Sequence, residues 1–468
     1  MTQPASQNIE APPESARESL PRSTILAYCL PMVGVGFMAM PFYVWLMKYS
    51  TDVLLIAPAA IGSIFFIGRF WDAISDPIAG YLSDLTTSNR GRRRSWMVAA
   101  AIPLGLTTVM LWSPPWMLEG FALVLWMGAA LLLYETASTA FFMPYGALGM
   151  ELTDHYRERT RLFGYRHVIA AVGSLAGLGV VYLLRTAENP RMTALIVSAV
   201  SGVVMAVTIF YAAGKLPERD DYRGRGSPRI LKAFSDVLRN PHGRLLFLVY
   251  GIETFGAASI GMLAPYVMQY VVHAPEYNEL FIVTYFIPQF ALTPLWIWLG
   301  NHFSKKTLWL FSMMALTLGY STVFFTSESS FGVLFFVIFL LGLGGGCGAV
   351  VAPSIQADVI DYDEYLTGER KEGAYTAIWN FIRKAAAGVT AGITGFVLQY
   401  VGYVPNAEDQ SEAVQTAILA LIGLLPAACY AVGTLMFMRF SLNEREHQEV
   451  VEALRQRAAG VSDSPEVN

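Results

Sequence analysis

R-F-W-D-A-I-S-D-P-I-A-G-Y-L-S-D-L-T-T-S-N-R-G-R-R-R, residues 69–94, places two carboxylates, Asp72 and Asp76, one helical turn apart in a segment otherwise apolar enough to cross a bilayer, and ends in a cluster of arginines. A charged side chain in hydrocarbon is costly, so acids at that depth mark ion or substrate paths or pair with a base. Positions i, i+3 and i+4 of a helix stack on one face. Asp72, Ser75 and Asp76 can therefore aim their oxygens at one point. Two carboxylates that close repel unless a positive charge joins them, so the trio reads as a site for Na⁺ or a proton. The alternative is structural: the acids neutralise Arg69 or a lysine elsewhere in the chain.

Working outward, the composition agrees with a membrane setting. Of 468 residues, 54% are apolar and 15% charged, too little charge to solvate a soluble protein of this size. Windows of roughly 20 residues, the length needed to cross the hydrocarbon core, recur at 24–48, 55–83, 95–114, 119–149, 164–185, 192–214, 244–272, 278–302, 306–326, 330–357, 374–402 and 412–439. The expected fold is an all-α membrane protein of twelve transmembrane helices in two pseudo-symmetric six-helix bundles, 24–214 and 244–440. A polar segment at 215–243 divides them, and Ile230, Leu231, Phe234, Val237 and Leu238 recur in it at the spacing of a short amphipathic surface helix. Residues 1–23 read as a disordered tail without signal-peptide features, and 441–468 as a second tail.

Lys and Arg fall almost wholly on one set of connections, at Arg90 to Arg94, Arg157 to Arg161, Lys215 to Arg239, Lys305 with Lys306, and Arg370 with Lys371; the alternate set holds Lys48, Arg185 and Arg191. Positive loops stay in the cytoplasm, so both termini are expected there, in an integral protein of the plasma or inner membrane. Trp96, Trp112, Trp116 and Trp309 near span ends read as interfacial aromatics. Cys29, Cys347 and Cys429 lie inside apolar spans without metal-type spacing and read as free buried thiols. No phosphate-cradling G-x-x-x-x-G-K occurs, and no nucleophile–base pair of an enzyme, so any drive must come from an ion or solute gradient.

The two halves echo one another. Gly80-Tyr-Leu-Ser-Asp84 with Arg92–Arg94 after the second span is matched by Gly300-Asn-His-Phe with Lys305-Lys306 after the eighth, the internal symmetry of repeat-built transporters. Four blocks then carry a family resemblance: W-D-A-I-S-D-P followed by G-Y-L-S-D and G-R-R-R, P-Y-G-A-L at 144–148, A-D-V-I-D-Y-D-E-Y-L-T-G-E-R-K-E-G at 357–373, and F-I-R-K at 381–384 followed by G-Y-V-P-N at 402–406. In that order they resemble the glycoside–pentoside–hexuronide:cation symporters, the melibiose-permease-like branch of the major facilitator superfamily, over essentially the whole chain from Tyr28 onward.

The resemblance implies alternating-access symport of a small organic solute with a coupling cation, Na⁺ or H⁺, and no other cofactor. It implies a cation site at Asp72, Ser75, Asp76 and Thr139, with Ser75 in place of an asparagine common in relatives. Lys384 takes the place of an eleventh-helix lysine that pairs with the acids, and Arg166 that of a fifth-helix arginine on sugar hydroxyls. The sugar-selective acids of the melibiose type are missing, with Gly36 and Phe142 where they would stand. Melibiose-like galactosides are therefore disfavoured, since charge-assisted bonds to their hydroxyls are lost.

Glu135 and Glu253 either pair with Arg69 or Arg166 or face the solute, and a seventh-helix acid in an apolar cavity is similar to the sodium-dependent lysophosphatidylcholine symporters. Phe142, Tyr145 and Trp379 would suit an amphipath. Asp84, Arg92, Arg93 and Arg94, with Asp358, Asp361 and Arg370, read as a gate whose opposite charges face across the halves. The expected partners are a small-molecule substrate and the lipid bilayer, with no nucleic acid and a monomeric chain. The rival readings are a lysolipid symporter on the same fold and a non-transporting membrane sensor or scaffold.

Overall fold

The computed structural model describes residues 20–153, 156–218, 237, 239–327, 330–369 and 371–458. Apart from Val237, the expected amphipathic helix of the middle segment lies outside the described residues, as do Arg370 and most of the first tail. The described residues contain no strand. In chain order the helices are α1 Arg22–Val44, α2 Pro58–Leu85, α3 Arg92–Trp112, α4 Gly120–Glu151, α5 Tyr156–Thr186, α6 Pro190–Lys215, α7 Pro241–Tyr270, α8 Pro275–Gly300, α9 Lys305–Val323, α10 Phe331–Thr367, α11 Glu372–Tyr400, α12 Glu412–Phe437 and α13 Glu444–Ala458.

Among the described residues ten helices are long and apolar enough to cross a membrane. The two that fall short hold the second and ninth places: α2 carries Arg69, Asp72, Asp76 and Asp84, and α9 opens on two lysines. Both are nonetheless long enough, at 28 and 19 residues. Proline interrupts many of these helices, Pro77 in α2 and Pro144 in α4 among them, as membrane helices tolerate when neighbours satisfy the freed carbonyls. Chain ends are fixed by side chains. Asn240 caps α7, its Oδ1 accepting from the backbone N–H of His242 at 3.0 Å and of Gly243 at 3.2 Å, and Ser304 caps α9 through Thr307 N–H.

Two apolar cores form, one mainly from α1–α6 and one mainly from α7–α12, with Val44 and Leu178 joining the second and Ala391 the first. Small residues let helices touch along their backbones, the usual device where lipid is as apolar as the side chains. At Gly36 of α1 a Cβ would lie 2.7 Å from the Ala170 carbonyl of α5. The two bundles meet in the same way where α2 crosses α11: a Cβ at Gly62 would lie 2.8 Å from the Ala391 carbonyl and 3.0 Å from Gly395 Cα.

One expectation is corrected. Trp112 and Trp309 are fully buried, Trp309 against Phe437 at 4.5 Å between ring centroids, so they pack the bundles and are not interfacial. The tenth helix runs on past its expected membrane window to Thr367, so Asp358, Asp361 and Asp363 project from its end.

Candidate functional site

The i, i+3, i+4 geometry of α2 brings Asp72, Ser75 and Asp76 to one face, against Thr139 of α4. The Thr139 hydroxyl lies 3.1 Å from Asp72 Oδ1, 2.9 Å from Asp76 Oδ1 and 3.2 Å from the Ser75 hydroxyl. It has one proton to donate, so it serves one carboxylate at a time. Asp72, Ser75 and Thr139 are buried, while Asp76 is half-buried. Lys384 of α11 enters this cluster from the other bundle: its Nζ is 2.8 Å from Asp72 Oδ2 and also hydrogen-bonds Asp76 Oδ2.

A second base stands behind the pair. Arg69 is buried, with Nη1 3.2 Å from Glu135 Oε1 of α4 and 3.8 Å from Asp72 Oδ2, and its guanidinium lies over the rings of Phe42 and Tyr43. The contact with Glu135 is a charge contact without hydrogen-bond alignment. Glu135 is thus placed in an ion pair with Arg69, one of the two roles left open for it. The cluster offers hard oxygens from four residues, Asp72, Asp76, Ser75 and Thr139, the donor type that Na⁺ or a proton takes, and one ammonium that competes for the carboxylates.

This cluster borders a cavity of about 870 Å³ between the bundles. Met40, Phe42, Tyr43, Phe65, Phe286 and Phe290 supply much of its wall, and Arg69, His167, Gln289, Arg383 and Lys384 its polar groups. The volume suits a drug-sized solute. Of the residues expected at the solute, Arg166, Phe142, Tyr145, Glu253 and Trp379 do not line this cavity. Tyr145 stacks on Tyr28 at 4.5 Å and donates its hydroxyl proton to the Tyr28 carbonyl at 2.6 Å, tying α4 to α1. Arg166 lies over the Phe163 ring, Phe142 packs on the first core, and Trp379 stacks on Tyr250 at 3.6 Å.

Glu253 is buried inside the second bundle, beside Gly433, and its Oε1 has no hydrogen-bond partner among the described residues. His167 and Gln289 were not singled out from sequence. The available signal was the recurrence of His167, Ala170, Ala171 and Ser174 at helical spacing, a small, polar face on an otherwise bulky span.

Among the described residues the charged helix ends form two clusters, one in each bundle. Arg93 bonds Asp84, Ser83 and Glu151, and Arg92 reaches Glu151 at 2.7 Å and Glu218 at 3.8 Å. Arg94 donates to the Ala213 carbonyl. In the second bundle Lys305 holds Asp358 at 2.7 Å, His447 of α13 meets Asp361 at 3.0 Å, and Lys371 lies 3.4 Å from Asp363. Among the described residues no ion pair joins these two clusters across the halves, and Arg370 lies outside the described residues.

The opposite face is where the halves lock. Lys48 and Asp52, in the continuation of α1, are buried together at 2.7 Å. Asp52 accepts from Tyr270 of α7 at 3.1 Å and from Tyr403, beyond α11, at 2.7 Å; Asn406 donates to its carbonyl at 2.6 Å. Arg185 of α5 adds a two-point contact with Glu279 of α8. The halves are thus tied together at this face, whereas at the arginine-rich face no ion pair joins them among the described residues.

The relatives fit this architecture. The family described as MFS/sugar transport protein matches residues 27–444. The inner membrane symporter YicJ of Escherichia coli is 25% identical, over 88% of this chain and 90% of the relative, and the E. coli glucuronide carrier protein homolog is 25% identical over 92% and 94%. A sodium-dependent lysophosphatidylcholine symporter of Danio rerio is 23% identical over 86% of this chain and 82% of its own length. Among solved structures the D-xylose-proton symporter superposes with a TM-score of 0.65 at 14% identity, covering 90% of this chain and 98% of that one, which speaks for the fold. The chain belongs to the MFS/sugar transport family, and within it to the glycoside–pentoside–hexuronide:cation symporters, membrane transporters and not enzymes.

Proposed function

We propose that Asp72, Asp76, Ser75 and Thr139 hold the coupling cation, Na⁺ or H⁺, of a symporter whose organic solute occupies the central cavity. The observation that carries this reading is the Lys384 ammonium lying on Asp72 and Asp76 at once. A cation entering among these oxygens competes with that ammonium, so its binding loosens a link between the bundles. Linkage makes the effect reciprocal: if the cation favours the solute-accepting state, solute tightens the cation. The positive-inside rule puts the arginine-rich face and both termini in the cytoplasm, which makes the conformation described inward-open. The clusters around Arg93 and Asp358 would then approach when that face closes.

The solute is an amphipath with a polar head and an apolar or aromatic body, imported in one chain acting alone. The wall of Phe42, Tyr43, Phe65, Phe286 and Phe290 supports that class over a bare polyol, as does the missing acid at Gly36, where no side chain has room. Aryl glycosides and lysolipids both belong to it, and relatives are named for a glucuronide and for lysophosphatidylcholine. The test is uptake of labelled candidates into proteoliposomes with and without an inward Na⁺ or proton gradient. Asp72→Asn should abolish the gradient-driven component; full coupled uptake in that variant would sink the assignment.

A further inference from the structure

The polar groups around the cavity do not balance in charge. Arg69 and Lys384 are matched against three carboxylates, Asp72, Asp76 and Glu135. Two bases against three acids leave one negative charge, which one monovalent coupling cation fills. Arg383 remains. It is adjacent in sequence to Lys384, is exposed to the cavity, and has no carboxylate within 4.0 Å among the described residues. Among the described residues no Asp or Glu side chain lines the cavity. His167, facing Phe290 across the two bundles with 6.0 Å between ring centroids, and the Gln289 amide add hydrogen-bonding capacity but no negative charge.

While the cavity is open to water, the lone guanidinium is solvated. An alternating-access cycle must at some point enclose it, and an enclosed charge without a partner is strongly disfavoured. From this imbalance we infer that the transported solute is an organic monoanion, whose carboxylate, sulfonate or similar group pairs with Arg383 while its apolar body lies against the Phe42, Phe286 and Phe290 side. The inference rests on the reading of Asp72 and Asp76 as the coupling-cation site. A guanidinium binds such a planar anion through two parallel N–H donors, so Arg383 fixes the orientation of the head as well as its charge. Cation and monoanion together then carry no net charge, and the coupled step is electroneutral.

The probes are 4-nitrophenyl β-D-glucuronide and 4-nitrophenyl β-D-glucoside, which share an aryl body and differ by a carboxylate in place of a hydroxymethyl group. Calorimetry and thermal shift on the purified full-length protein should show the glucuronide binding at least about tenfold tighter, the size of one charge-assisted contact. Arg383→Gln should bring the two affinities within about twofold, and Arg383→Lys should retain part of the preference. Stabilisation by Na⁺ or by a change of pH in the absence of solute should be unchanged in Arg383→Gln; its loss in the wild type would count against the cation site itself and so separates the two failures.

In proteoliposomes, an inside-negative potential of about 100 mV should leave gradient-driven glucuronide uptake unaltered, whereas transfer of one net positive charge would raise accumulation up to about fiftyfold. Equal binding of the two probes, binding of neither, a preference that survives Arg383→Gln, or a several-fold response to potential would each overturn the inference.

Discussion

Lys384 of α11 and Asp72 of α2 meet across the two bundles with Nζ 2.8 Å from Oδ2, and the same ammonium bonds Asp76. The contact is therefore both a link between the halves and the resident cation of an acid pair. Where a coupling cation displaces that ammonium, as proposed, ion binding and bundle motion become one event.

Lys384→Gln removes the ammonium and leaves Asp76 with the Thr139 hydroxyl and Asp72 with that hydroxyl and the Arg69 guanidinium 3.8 Å away. Breaking a largely buried ion pair from one side costs about 3 kcal/mol, so the cation-free protein should melt earlier. The competitor for the site is also gone, and Na⁺ should bind at least about tenfold tighter and restore most of the lost stability. Coupled uptake should collapse, because cation binding no longer releases an inter-bundle contact. Titration of melting temperature against Na⁺ checks this; wild-type Na⁺ affinity in the variant would rule out competition.

The second link between the halves, at the opposite face, holds the cavity shut there. Asp52→Ala strands Lys48 in a buried site and removes the acceptor for Tyr270 and Tyr403, a loss of about 3–5 kcal/mol for this conformation. A cysteine at Ala258, in the cavity wall, should then react several-fold faster with a membrane-impermeant thiol reagent added from that face. Replacing both partners, Lys48→Met with Asp52→Leu, leaves no stranded charge and should label more slowly than Asp52→Ala alone. Equal rates in the two would show that the charge pair does not set the closure.

The helix order and the acid pair were legible because both depend on local periodicity: Asp72, Ser75 and Asp76 share a face in any helix. Thr139 and Lys384 could be placed by resemblance alone, since nothing local brings α4 and α11 to α2. The Lys48–Asp52 latch escaped notice because its other members, Tyr270, Tyr403 and Asn406, are distant in sequence. Helix rotation was equally hidden. Tyr145 and Trp379 turn their rings onto Tyr28 and Tyr250 and not into the cavity, a choice made by tertiary stacking. Arg383 carries no signal in the sequence beyond its place beside Lys384, since being without an acidic partner is a property of the assembled cavity.

The missing acid of the first span has a packing cause that can be tested. A Cβ at position 36 would lie 2.7 Å from the Ala170 carbonyl and 3.4 Å from Gly173 Cα, so even Gly36→Ala should push α1 off α5 and cost about 1–3 kcal/mol. Gly36→Asp should destabilise further and gain no affinity for neutral galactosides. Thermal melting of both variants, with galactoside titration of the second, decides the point; a stable aspartate variant that binds galactosides would show that α1 can yield.

Glu253 tests whether a buried acid in a span must serve transport. It lies inside the second bundle, 7% exposed, close to Met313 and Gly433, and it is absent from the cavity wall. No base is within ion-pair distance of it among the described residues, and its Oε1 has no hydrogen-bond partner there. Gln reproduces its shape and hydrogen-bonding reach, and Glu253→Gln should keep stability within about 1 kcal/mol and leave the KM for solute and the cation dependence of uptake as in the wild type. Glu253→Ala, by contrast, should leave a void between α7, α9 and α12 and cost about 2–3 kcal/mol without altering KM. Loss of coupled uptake in a well-folded Glu253→Gln protein would instead place this carboxyl on the transport path.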